Sequence, residues 1–153
     1  MKLTVSKILD LEPAVSSISK QLVVASTSSK LGRVKKLLMA EIENFIAERD
    51  KLQNEFRPVP GKIPNTIDFV KYGEDDKPLM TEPDENGKQH MVPDPDAYKG
   101  YMDGINDYLK LEVELTFPTI TMKDLVDRHG KEIDATGDDL FLLEGIVIVE
   151  AAP

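Results

Sequence analysis

The chain has 153 residues, no cysteine, 19 Lys and Arg against 28 Asp and Glu, and a formal net charge of -9. Such a length can bury enough apolar surface to fold without cross-links. The lack of cysteine excludes a disulfide scaffold, a cysteine-based zinc site, an iron–sulfur cluster and a thiol nucleophile, and the acidity argues against general nucleic-acid binding, which needs a basic surface.

Near the start, Lys7, Asp10 and Glu12 interrupt any apolar run, so no secretory signal is expected. No apolar stretch approaches the roughly 18–20 residues that span a bilayer, and no membrane contact is expected. The charge is uneven along the chain. Residues 1–60 carry 10 basic and 7 acidic side chains, whereas residues 61–153 carry 9 basic and 21 acidic ones.

Ile8, Leu11, Val15, Ile18 and Leu22 recur at steps of three and four, which predicts a helix over 5–24 with Ser6 as its cap. Pro13 lies inside this pattern and predicts either a kink or a helix that starts near Asp10. Residues 25–29 read as a short Ser/Thr linker, with Ser28 or Ser29 capping the next helix. Residues 30–56 carry a long apolar stripe: Leu31, Val34, Leu38, Ile42, Phe45, Leu52 and Phe56. Two successive amphipathic helices with a short joint predict an antiparallel helical hairpin.

Seven of the ten prolines then fall between Pro58 and Pro95. Inside that acidic stretch, 67–72 has strand composition, and Asn86-Gly87 marks a tight turn between 77–81 and 89–92. A projecting β-hairpin is expected there. Asp96 is the expected cap of a further helix whose apolar face is Tyr98, Tyr101, Ile105, Tyr108 and Leu109. Residues 110–117 alternate polar and apolar, as a half-buried strand does. A short helix over Thr121–Arg128, a Thr136 cap before Leu140–Leu143 and a β-rich end at Ile146–Val149 close the chain.

Chemical motifs are absent or incomplete. Glu82, Asp84, Asn86 and Gly87 match the opening of a calcium loop, but its twelfth position, where a bidentate Glu belongs, is Pro93. His90 and His129 lack metal-site spacing, and no nucleophile elbow or phosphate loop occurs. Glu112 with Glu114 and Asp138 with Asp139 are carboxylate pairs that a chain this acidic contains by chance. The basic run Lys30, Arg33, Lys35 and Lys36 lacks interleaved aromatics and reads as a solvated helix face, one that could meet the acidic part of the chain or a neighbour.

The order of features resembles a family of short phage and prophage proteins known only as a phage domain of unknown function. The resemblance is carried by Met1-Lys-Leu3, by Glu43-Asn-Phe-Ile-Ala-Glu-Arg-Asp-Lys-Leu52 and by the turn Asp84-Glu-Asn-Gly-Lys88. Tyr108-Leu-Lys-Leu-Glu-Val-Glu-Leu115 and Asp139-Leu-Phe-Leu-Leu-Glu144 complete it. The Pro-rich stretch around 57–80 departs from the family pattern. The resemblance implies a phage origin, with the virion or the host cytoplasm as its location, and transfers no catalytic residue.

The expected fold is therefore α+β, a long helical hairpin with a small antiparallel sheet. Its segments are a hairpin at 1–57, a Pro-rich acidic stretch at 58–96 and an α+β part at 97–153, together one domain. The expected function is non-enzymatic, without metal or cofactor, through contacts with copies of itself or other phage proteins. The alternative is an early protein that inhibits a host protein through its acidic surface. Leu31, Val34, Leu38, Phe45, Leu52 and Phe56 are the candidate interaction face.

Overall fold

The computed structural model describes residues 1–21, 24–127, 129–133 and 136–148. Leu22, Arg128 and Val149, which entered the expectations above, lie outside them. The elements run β1 (Lys2–Thr4), α1 (Val5–Gln21), α2 (Ala25–Phe56), β2 (Val59–Pro60), β3 (Ile67–Asp68), α3 (Pro95–Leu109), β4 (Glu112–Glu114) and α4 (Gly137–Leu143), with one 3-10 turn at Met122–Asp124. The chain is α+β. It divides into two units, Met1–Phe45 with Leu109–Pro153, and Ile46–Tyr108. The division falls inside α2 and follows no shift in composition.

In the first unit, α1 buries Val5, Ile8, Leu11, Ala14, Val15 and Ile18 on one face. Its cap is Thr4, whose hydroxyl accepts the Lys7 amide at 3.3 Å, and not Ser6. The helix runs on through Pro13. Pro13 sits on the exposed face, so the Leu9 carbonyl that loses its donor there can turn to solvent. α1 and α2 form a helical hairpin. Glu12 lies nine residues before the end of α1 and Lys35 ten residues after the start of α2, and the two meet at 3.8 Å as antiparallel neighbours must.

The expected linker at 25–29 is the first turn of α2 instead. Thr27 explains the difference. It is fully buried, and its hydroxyl donates at 2.9 Å to the Asp124 carbonyl, so helix formation here strands no polar group. Leu31, Val34 and Leu38 follow it into a core shared with α1, Leu115, Ile120, Leu125, Leu143, Val147 and Ile148. β4 pairs antiparallel with β1, a strand too short for its pattern to be read in sequence, with Val113 opposite Leu3. Glu112 and Glu114 lie on the exposed face.

The expected helix at 121–128 is only the 3-10 turn at Met122–Asp124. Asp124 holds it. Its carboxylate accepts the Thr121 amide at 2.8 Å and hydroxyl at 3.1 Å and meets Lys30 at 3.4 Å. α4 is capped by Thr136, which accepts the Asp139 amide at 3.2 Å, and it packs on α1. Beyond it, the Leu143 carbonyl accepts the amides of Ile146, Val147 and Ile148. The expected β-rich end is thus a turn, with Ile148 bridged in parallel to Ile120.

In the second unit, the end of α2 packs on α3 through two glycines one turn apart. A Cβ at Gly100 would stand 2.7 Å from the Phe56 ring, and one at Gly104 would stand 2.9 Å from a Leu52 methyl. Leu52, Phe69 and Tyr101 form the buried centre. α3 starts at Pro95, which needs no amide partner, under a cap from Asp94 and not Asp96. The Asp94 carboxylate accepts the amides of Asp96 at 3.2 Å and Ala97 at 3.0 Å.

Three extended segments between β3 and α3 close on one another. Val70 bridges Pro93, Tyr72 bridges Pro78 and Met80 bridges Met91, so each segment pairs with both others. The prolines are tolerated because they stand at pair positions whose ladder bonds come from flanking residues. Leu79 and Gly73 bond around Pro78, and Lys71 and Asp94 bond around Pro93. The two-residue Asn86-Gly87 turn is replaced by a five-residue one. Gly87 bonds to the Asp84 carbonyl and Asp84 to the Lys88 carbonyl, and only Gly87 has positive φ, at 73°. The same backbone pattern recurs at Gly73–Lys77 and at Asp127–Lys131.

The prediction concerns Asp124. Its folded carboxyl titrates below the ordinary value, held there first by the Thr121 amide and then by the Thr121 hydroxyl and Lys30. A depressed folded pKa stabilises above the unfolded value and is lost as pH falls through the folded one. Asp124→Asn is expected to cost about 1.5–3 kcal/mol at neutral pH, as for hydrogen bonds to a charged group. In urea unfolding, the gap from wild type should narrow between about pH 6 and about pH 3. A gap that stays constant would mean that the charge is not what stabilises.

Candidate functional site

The structure disperses the face expected on α2. Leu31, Val34 and Leu38 are buried in the first unit's core, which removes them as a surface for any partner. Phe45 is half-buried in that unit. Leu52 is buried in the second unit, and Phe56 packs beside it. A stripe that is continuous in sequence thus serves two separate cores. Periodicity alone carries no mark of where one core ends and the next begins.

What lies open is found in the second unit. A groove of about 500 Å³ runs between β3, the segment around Met91 and the start of α3. Phe69, only 7% exposed, forms its floor, with Tyr101 at 5.1 Å and Tyr98 at 5.8 Å between ring centroids. Ile67, Met91 and Tyr98, the last 54% exposed, supply apolar walls, and Lys62, Asp68 and His90 supply polar ones. Sequence reasoning missed this groove. It had placed Tyr98 on a buried helix face, and the three extended segments that bring Met91 beside Ile67 left no motif.

Two of the titratable groups at the groove, Asp94 and His90, are engaged with other parts of the fold. The Asp94 carboxylate caps α3. His90 stands 3.7 Å from Asp84, whose own carboxylate accepts the amides of Asn86 at 2.8 Å and Lys88 at 2.9 Å. Those amide bonds, Lys88 first, hold the Asp84 carboxyl below its ordinary range. The residues that opened an incomplete calcium loop therefore close a turn. Among the described residues, no three His, Asp or Glu come together in a way that could hold a metal ion. Arg57 and Asp76 form a further charged pair at 2.6 Å, with the Arg57 guanidinium 4.3 Å over the Tyr72 ring. Both residues have positive φ, at 50° and 62°, so this pair ties down two backbone positions that side chains rarely adopt.

The basic run on α2 divides. Lys30 pairs with Asp124 and Lys35 with Glu12, whereas Arg33 and Lys36 flank a second, shallow groove of about 590 Å³ beside Phe117 and Pro118. Among the described residues no helix is long and apolar enough to cross a membrane.

Core and surface are separated by unfolding experiments. Leu38→Ala is expected to cost about 2–5 kcal/mol of stability, as for a buried leucine. Tyr98→Ala is expected to cost less than about 1 kcal/mol. Equal losses in denaturant unfolding would contradict the assignment of Tyr98 to an open surface.

Compared with protein-family models, with curated proteins and with solved structures, the chain has no match.

Proposed function

We propose that the chain is a non-enzymatic phage protein that works by protein–protein contact, in the particle or in its assembly, with copies of itself or with other phage proteins. The observation that carries the contact reading is the distribution of open apolar surface. Of eleven large apolar side chains exposed among the described residues, seven lie within Ile46–Tyr108: Ile46, Ile63, Ile67, Leu79, Met80, Met91 and Tyr98. Single exposed apolar residues are ordinary, but three of these seven, Ile67, Met91 and Tyr98, line one groove, as the residues of a recognition surface do. The phage assignment rests on the sequence resemblance.

A second reading is favoured by charge. Residues 46–108 carry 14 acidic and 8 basic side chains, so the groove lies in an acidic unit that would complement a basic site on a host protein.

Mass spectrometry of purified particles and light scattering of the purified chain test the first reading. Presence in the particle, or association that grows with concentration, is expected. A chain that stays monomeric and is absent from particles would overturn it. The second reading expects binding to a host protein that weakens steeply as salt rises past about 0.1 M. Salt-insensitive binding would count against it.

A further inference from the structure

Two surface features of the first unit complement each other, and neither is used among the described residues. The first is on α4. Phe141 is 79% exposed, the most open large apolar side chain among the described residues. Asp138 lies three residues before it on the same face of α4, and Glu144 is the C-cap residue three positions after it; both are exposed. Neither carboxylate enters an ion pair among the described residues. Glu144 moreover stands at the C-cap of α4, where the helix dipole disfavours a negative charge and a cation from outside would be welcome.

The second is the shallow groove on α2. Leu37, Ala40, Phe117 and Pro118 make it apolar, and Arg33 and Lys36 flank it. These two cations, unlike Lys30 and Lys35, enter no ion pair among the described residues. No residue of α4 lines the groove. An acid–Phe–acid ridge and an apolar groove with two free cations match in both shape class and charge.

We infer that the α4 ridge of one copy docks into the α2 groove of a second copy. Phe141 enters between Leu37 and Phe117, while Asp138 and Glu144 meet Arg33 and Lys36. Exchanged reciprocally between two copies, ridge for groove, such a contact closes a two-fold dimer; made one way only, it is heterologous, leaves a free ridge and a free groove, and propagates to a ring or a filament. This contact deepens the assembly reading above and rests on it.

The test uses the full chain, with circular dichroism to confirm folding and sedimentation over a concentration series. Wild type is expected to associate. Phe141→Ala, the groove pair Arg33→Glu with Lys36→Glu, and the ridge pair Asp138→Lys with Glu144→Lys should each weaken association at least roughly tenfold. Mixing the groove pair with the ridge pair should restore it, because each chain then meets a complementary partner surface. Folded variants that associate like wild type would overturn this contact while leaving assembly through another surface standing. Wild type monomeric at about 1 mM, weaker than any functional contact, would also overturn it. The assembly reading itself falls only where the chain is monomeric and also absent from purified particles.

Discussion

α2 has to satisfy two hydrophobic cores with one apolar stripe. Leu31, Val34 and Leu38 serve the first, and Leu52 serves the second. The rest of each unit is built to meet that demand. In the first, α1 and the strand pair β1–β4 converge on the N-terminal half of the helix, and Asp124 fastens the returning chain to Thr27 and Lys30. In the second, α3 gives up side chains at Gly100 and Gly104 so that Phe56 and Leu52 can fit. A helix of 32 residues is stable here because both ends are packed, since propensity alone supports isolated helices only weakly.

The same division rearranges the charge. In linear order the chain is a mildly basic start followed by a long acidic stretch. In the fold, residues 1–45, with 7 basic and 4 acidic side chains, share a unit with residues 109–153, which have 4 basic and 10 acidic ones. Lys30 with Asp124 and Lys2 with Glu112 are ion pairs between the two. Basic and acidic segments thus partly neutralise one another inside one unit. Arg33 and Lys36 on α2 and Asp138 and Glu144 on α4 belong to the charges that enter no ion pair among the described residues.

Much of the architecture was legible in the sequence because it was written in long, regular patterns. The apolar face of α1, the stripe on α2, the alternation through Val113 and the Thr136 cap all read directly. Some errors are local shifts of a cap by two residues, and others arise because local chemistry was decided by distant partners. Ser6 and Asp96 are good caps by type, but Thr4 and Asp94 hold the positions where the chain actually turns. Residues 25–29 look like a linker until Thr27 finds a carbonyl 97 positions away. The groove was invisible for the same reason, since Pro78 and Pro93 argue against strands unless the pairing around them is known.

The closed ring formed by the segments around Val70, Met80 and Met91 constrains how any partner can engage that part of the molecule. Pairing within the ring uses part of the main chain that an open sheet edge would offer to an added strand: the amides of Lys71, Leu79, Val92 and Asp94 are taken by neighbouring segments. That leaves less main chain for strand addition and shifts recognition of a ligand there toward side chains, in the manner of a pocket. Selectivity then depends on the identities of a few protruding residues, which can drift one at a time without disturbing the backbone that carries them. A surface of that kind can change partners over evolutionary time while its fold stays constant, and the same closure protects a Pro-rich, apolar-studded segment from edge-to-edge aggregation.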